Sequence, residues 1–431
     1  MYREGRSMCE LAAVAVDERC VYLGFQGSAS SVAIFKQADM TIVGLYLHMC
    51  GSASKLLAVS GHRKLVCLTS AGYLYVWDTG DDTLESLSRI INDPLTLDGF
   101  VHPDVRVRPV VEVAPTNMGD CVDVDYLAEA STLLTLSSGG EVTLRHLTSG
   151  VPIGSFCPAE GEGMRALCVK ANDRVSSFRN RKGYWIAIGG SKGRIFVTFL
   201  PLVEQDGEQD GDHDGDPDGD PDSGATQTPV LDTSDVYTAA QTTSSHVDVK
   251  CLTFRQKSST SASMTLVAGC SDGTVRCFVF KQTEDELQPH KSASYVHCRA
   301  AKRGNVSRLL SGCSANGSPY IVTLCSMQLA FDYHTMPSEA AKPSPSDSST
   351  FCTEVLLQTL LPDQCDNYEM LAQVRDVVTD LKPTADDTGY VFTTSDDLYV
   401  IRPSDSAFGW HKPQRLEWQS ADNTKLMSKL M

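Results

Sequence analysis

Residues 266–279 read LVAGCSDGTVRCFV: an apolar run, a Ser271-Asp272-Gly273 turn and a second apolar run. Two strand-length apolar stretches flanking a tight polar turn describe an antiparallel hairpin. Gly273 stands where that turn needs positive φ, which a residue lacking Cβ adopts cheaply. Leu65–Asp78, Leu133–His146 and Ile186–Phe199 fit the same 14-residue frame without gaps, with Gly72, Gly140 and Gly193 at the matching eighth position. Four hairpins in register mark an internal repeat.

Working outward, further strand patterns group around these frames. Leu11–Val16, Val21–Phe25, Val32–Phe35 and Thr41–Tyr46 make one four-stranded unit. Lys55–Val59, the frame at Leu65–Asp78 and an expected outer strand at Leu84–Ile91 make the second. A Pro-bearing inserted loop follows to Asn117. Cys121–Tyr126, Leu133–Leu136, Val142–Leu147 and Pro152–Phe156 form the third, and Ala166–Val169, Tyr184–Ile188 and Ile195–Leu200 the fourth. Residues 201–246 are expected to be a disordered acidic and Thr/Ser-rich insertion, because Glu204–Asp222 iterates Asp-Gly pairs with nothing to bury. Val247–Phe254 and Leu266–Phe280 carry the fifth unit. Val306–Ser311, Tyr320–Cys325 and Gln328–Tyr333 carry the sixth, with a Pro/Ser-rich loop at 335–350 and a returning strand or short helix at Cys352–Leu361. Val377–Leu381, Tyr390–Thr394, Leu398–Ile401 and Arg415–Gln419 complete a seventh. The expectation is a single all-β domain over 8–420, a closed array of seven four-stranded sheets with long inserted loops and a tail at 420–431. Met8–Val16 and Arg415–Gln419 compete for the place where the ring closes.

Composition bounds the function. The chain is 42% apolar and 21% charged, with a formal net charge of −17. Ten acids lie within Glu204–Asp222, so the remainder carries only −7. Mildly acidic surface argues against unaided, sequence-independent nucleic-acid binding, which needs cations to meet phosphate. The 15 cysteines are odd in number and form no CxxC. Cys67, Cys168, Cys251, Cys277 and Cys325 sit inside apolar runs, as small core hydrophobes with reduced thiols do. No run reaches the ~20 apolar residues of a spanning helix. The expected location is the cytoplasm, with the nucleus as alternative.

Tyr73-Leu74-Tyr75-Val76-Trp77-Asp78 ends in a Trp-Asp pair, and Ser271-Asp272-Gly273-Thr274-Val275 is a turn of the same style. These hairpins resemble those of the WD40 repeat family. The resemblance implies a divergent seven-bladed β-propeller that holds protein partners within a larger complex. Only one Trp-Asp occurs, and Gly61-His62 lies too close to Trp77 to be the family's Gly-His pair. The buried Asp-His-Ser-Trp network of regular blades is therefore not assigned.

Other motifs carry less. Asp210, Asp212 and Asp214 open like a calcium loop, but Pro221 occupies the twelfth position where a bidentate Glu is required, so a solvated acidic loop is the plainer reading. Arg174, Arg179, Arg181 and Lys182 form a cationic loop suited to phosphate on lipid or RNA. Phe178-Arg179-Asn180-Arg181-Lys182-Gly183 is similar to the Phe-Arg-Arg-Gly motif of phosphoinositide-binding propellers, with Asn180 interrupting the arginines. Gly189-Gly190-Ser191-Lys192-Gly193 leads into a strand, not a helix, so it offers no phosphate loop. His62, His146 and His297 stand at strand ends or turns. Leu357-x-x-Leu360-Leu361 matches a docking pattern that apolar strands produce freely. With no Gly-x-Ser-x-Gly, Walker loop, HExxH or paired metal spacing, the expectation is a non-catalytic chain without cofactor or metal.

Overall fold

The computed structural model describes residues 10–416, except 27–30, 47–48, 93–108, 116–119, 159–162, 173, 203–230, 232–236, 243–245, 256–262, 283–286, 297–303, 314–318, 329–350, 360–367, 375–377, 385–388, 395 and 403–412. The described strands form seven antiparallel sheets in chain order. The first holds β1 (Glu10–Val16), β2 (Cys20–Gln26), β3 (Val32–Lys36) and β4 (Ile42–Tyr46). The second holds β5 (Ala53–Val59), β6 (Lys64–Thr69), β7 (Leu74–Asp78) and β8 (Val111–Val113), with α1 (Asp81–Asn92) between its last two strands. β9 (Cys121–Leu127), β10 (Thr132–Ser137), β11 (Val142–His146) and β12 (Pro152–Phe156) make the third. The fourth is β13 (Ala166–Ala171), β14 (Ser176–Phe178), β15 (Arg181–Gly190), β16 (Arg194–Pro201) and β17 (Tyr237–Thr242). The fifth is β18 (Val249–Arg255), β19 (Ser263–Cys270), β20 (Thr274–Gln282) and β21 (Leu287–Val296). β22 (Gly304–Cys313), β23 (Pro319–Gln328), β24 (Phe351–Thr359) and β25 (Tyr368–Val374) form the sixth, and β26 (Val378–Pro383), β27 (Tyr390–Thr394), β28 (Leu398–Ile401) and β29 (Gln414–Leu416) the seventh.

Side chains of a strand alternate between faces, so each sheet here buries both faces against its two neighbours. Seven apolar clusters result, each drawn from two consecutive sheets. The one that closes the ring packs Leu11, Leu23, Phe25 and Phe35 of the first sheet against Val391, Leu398 and Val400 of the seventh. The first strand of every sheet touches the first strand of the next, and β26 returns to β1. Among the described residues the first and seventh sheets are each built from their own stretch of chain and meet by packing, with no described strand shared between them.

All four framed hairpins join the second and third strands of their sheets. Gly72, Gly140, Gly193 and Gly273 have φ of 77°, 92°, 66° and 78°, as the turn requires. A Cβ at Gly72 would meet nothing nearer than 3.6 Å, so backbone conformation alone demands glycine there.

Several segments depart from the sequence-based expectation. Leu84–Ile91 lies within helix α1, not a strand. Asp81 and Asp82 sit at its N-terminus, where the helix dipole favours anions, and Leu84, Leu87, Ile90 and Ile91 recur at helical spacing. Leu87 is buried and α1 packs on β4, so the helix lies along the outer strand of the first sheet. The outer strand of the second sheet is instead β8, inside the stretch read as a loop. Within 201–246, Tyr237–Thr242 pairs with β16 as an outer strand; such a strand needs one partner only, so a polar, Thr-bearing sequence suffices. The acidic tract Glu204–Asp222, the loop at 335–350 and His297 lie outside the described residues. The third strand of the sixth sheet is β24, and β25 follows it; Gln328 ends β23, and residues 329–333, expected as a strand, lie outside the described residues.

Candidate functional site

Each of the seven first strands carries a β-bulge in its first half, where one residue is skipped in pairing with the neighbouring strand. A bulge re-aims the residues beyond it. The residues just past the bulge are Ala13, Lys55, Asp123, Cys168, Cys251, Arg308 and Asp380, one per sheet. Six of them reach toward the following sheet. Lys55 Nζ donates to Asp123 Oδ1 at 2.7 Å, and Asp123 Oδ2 accepts the Val169 N–H at 2.8 Å. The Cys168 thiol points to the Val249 carbonyl at 3.7 Å, and the Cys251 thiol to the Val306 carbonyl at 3.5 Å. Arg308 Nε donates to Asp380 Oδ1 at 2.9 Å, and Asp380 Oδ2 accepts the Val14 N–H at 3.1 Å, tying the last sheet to the first. Only Ala13 has no reach. There the second sheet approaches closely: a Cβ on Gly24 would lie 2.6 Å from the Ala53 Cβ.

Two residues further along the strands, Asp125 accepts the Ala171 N–H at 2.8 Å and pairs with Lys170 at 3.2 Å. Lys382 occupies the corresponding place in the seventh sheet. Backbone N–H groups on the inner edge of a sheet have no further strand to bond, and a buried donor left unpaired is costly. The carboxylates supply those acceptors.

The electrostatics follow. Burial pushes the Asp380 carboxyl upward, but Lys382, Arg308 and the Val14 N–H outweigh it and hold the group below the ordinary carboxylate range. Asp125 is likewise depressed against its burial, by Lys170 and Lys55. Burial raises the thiols, Cys251 to about 12 and Cys168 well above its ordinary value. The five cysteines read as core residues, Cys67, Cys168, Cys251, Cys277 and Cys325, are all buried.

The Trp-Asp pair serves packing between the first two sheets. Trp77 is buried and stacks on Tyr46 of β4, with centroids 4.6 Å apart and planes 7° from parallel. The Tyr46 hydroxyl donates to the Asp78 carbonyl at 2.9 Å, and the Asp78 carboxylate takes Lys64 Nζ at 2.7 Å. His62 stands by Ser131 of the third sheet at 3.0 Å.

The cationic loop is a small hairpin. Arg179 and Asn180, with φ of 53° and 58°, turn β14 back into β15. Arg174, Arg179 and Lys182 are exposed. Arg181 is half-buried, with its guanidinium 3.4 Å from the Leu202 carbonyl, and Arg179 lies over the Phe178 ring at 5.4 Å. As neighbours on one strand, Arg181 and Lys182 point to opposite faces.

The inner-strand charges form no local motif because the groups that bridge the sheets lie far apart in sequence, Lys55 68 residues from Asp123 and Arg308 72 from Asp380. Their signal is a charge centred in an otherwise strand-like run, as in Cys121–Leu127, CVDVDYL, and Val378–Pro383, VTDLKP. Small antiparallel sheets, packed face to face around an axis and locked through their innermost strands, place the protein in the class of β-propellers. No protein-family model matches the chain, and no curated protein matches it.

Proposed function

We propose that the protein is a non-catalytic interaction platform, a divergent WD40-like propeller that presents its rims and inserted loops to protein partners within a larger complex in the cytoplasm or nucleus. The observation that carries this reading is how the inner polar groups are used. Asp123, Asp125 and Asp380 spend their oxygens on backbone N–H groups and cations of adjoining sheets. Such groups hold a scaffold rigid, and connections on a rigid scaffold are where binding surfaces concentrate. No helix of the described residues is long and apolar enough to cross a membrane. The test is purification of the full chain under native conditions, with crosslinking and mass spectrometry. A stoichiometric partner crosslinked to the rim connections supports the proposal; recovery of the chain alone at every concentration contradicts it.

One observation favours a second reading. Arg174, just before β14, and Arg179 and Lys182 on the β14–β15 hairpin are exposed, a surface that suits phosphate on a lipid or RNA. Changing these and Arg181 to Glu must abolish binding to phosphoinositide vesicles or RNA. Unaltered binding, or none by the native chain, removes this reading.

A further inference from the structure

Residues 81–92, DDTLESLSRIIN, are held to the ring lightly. A 12-residue helix is marginal on its own in water, so docking is what keeps α1 folded. Among its described side chains Leu87 alone is buried, and Leu84 packs half-buried in the same cluster. By contrast, β3 buries four of its five residues and β4 all five. Leu87 enters a notch in β4. A Cβ on Gly44 would stand 2.9 Å from Leu87 Cδ1 and 3.1 Å from Ile34 Cδ1. The Gly44 backbone is not left-handed, so it is the approach of α1 that calls for glycine there. Val43 and Tyr46 of β4 and Ile34 of β3 belong to the same apolar cluster as Leu87. At the helix start, Asp81 takes Arg19 from the β1–β2 turn and Arg63 Nη1, just before β6, at 2.9 Å. Asp81 and Arg63 are 62% and 61% exposed, and ion pairs so open to water are weak and screened by salt.

We propose that α1 occupies a helix-docking groove in cis and is released from it as a unit, and that the partner the groove takes is an amphipathic helix of the same pattern. This rests on the platform reading above and names one of its surfaces and the kind of partner it holds. The chemistry of that partner is read from α1 itself. Arg19 and Arg63, drawn from two different sheets onto one carboxylate, select an acidic first turn. The notch at Gly44 selects a branched apolar side chain six residues further on, with a second one half-buried three residues before it. An amphipathic helix laid with its apolar face in a groove is a general mode of peptide recognition. The tether gives α1 an effective concentration on the order of millimolar, so it shuts the groove to weak ligands and yields to tight ones.

The test uses the full chain, with a peptide of residues 81–92 as the probe in trans. Hydrogen exchange read by mass spectrometry is expected to show the α1 amides exchanging at least about tenfold faster than those of β2 and β3, and faster still as salt rises from about 0.1 to about 1 M. Leu87→Asp frees α1 and leaves β2 and β6 protected. The peptide then binds the Leu87→Asp chain saturably, and at least about tenfold more tightly than the native chain, where α1 holds the groove. Adding Gly44→Val, which fills the notch, or Arg19→Glu, which sets like charge against the peptide's acids, weakens that binding about tenfold (about 1.4 kcal/mol). Leu87→Ala serves if Leu87→Asp does not fold. Amides of α1 as slow as those of β3, unfolding of the ring by both Leu87 variants, or a peptide that binds native and variant chains alike or binds neither overturns the proposal. A partner crosslinked elsewhere on the rim, with no peptide binding, sinks this inference and leaves the platform reading standing; peptide binding with no partner recovered does the reverse.

Discussion

Asp380 closes the ring, and its removal is the most informative perturbation. The carboxylate is 1% exposed and joins three sheets through Arg308, its own strand and Val14. Asp380→Ala strands a charge at Arg308 and leaves the Val14 N–H without an acceptor. Breaking a buried pair by removing one partner costs about 3–5 kcal/mol. Arg308 is 36% open to solvent, so its charge stays partly hydrated and the lower end, about 3 kcal/mol, applies. The orphaned N–H adds about 1 kcal/mol. The total of about 4 kcal/mol corresponds to a fall in Tm of roughly 4–6 °C for a chain of this size. Arg308→Met in the same chain removes the stranded charge, so the double variant recovers about half of that loss or more. Thermal and urea unfolding of the two single variants and the double measure this directly. A loss below about 1 kcal/mol for Asp380→Ala, or strictly additive losses in the cycle, refutes the claim that this pair bolts the ring shut.

The same group gives a pH dependence. The folded-state pKa of Asp380 is depressed, so its contribution is fully present above the ordinary carboxylate value of about 4 and is lost as pH falls below that toward the lower folded value. Acid unfolding of the native chain is therefore steeper than that of Asp380→Ala, and parallel curves contradict it. Gly189→Ala places a Cβ 2.5 Å from Val249 Cγ1 and 2.8 Å from Cys168 Sγ; overpacking between the fourth and fifth sheets costs about 1–3 kcal/mol by urea unfolding. Gly72→Ala, at φ 77° with space around it, costs about 1 kcal/mol by the same measurement, from conformation alone. Thiol labelling of the native chain modifies exposed Cys50 and leaves buried Cys67, Cys168 and Cys251 untouched until denaturant is added; rapid labelling of those three contradicts the packing described.

Much of the fold was legible because its hairpins are local. Gly273 and its three counterparts must adopt positive φ in a short loop, and the apolar runs beside them need only their own turn to be recognised. Outer strands were harder. Val111–Val113 and Tyr237–Thr242 pair on one side only, so their sequences carry little apolar signal, and β8 follows a long insertion. Leu84–Ile91 was ambiguous as a short apolar run, and the pair of acids before it was the better guide to a helix. The Trp-Asp pair marked a real hairpin, yet its partner Tyr46 lies in another sheet. The inner girdle was illegible for a related reason. Lys55 meets Asp123 across 68 residues, and Val14 meets Asp380 across 366, so the pattern exists only once seven bulged strands surround one axis.

Hydrogen exchange at the Val14 amide tests ring closure most directly. This N–H lies on the inner edge of β1, with the Asp380 carboxylate as its acceptor from the far end of the chain. In a closed ring it exchanges only with global unfolding, as slowly as the amides of central strand β2, and Asp380→Ala speeds it by orders of magnitude. Exchange at Val14 as fast as at a frayed edge strand, or a rate indifferent to Asp380, would show that the first and last sheets do not meet.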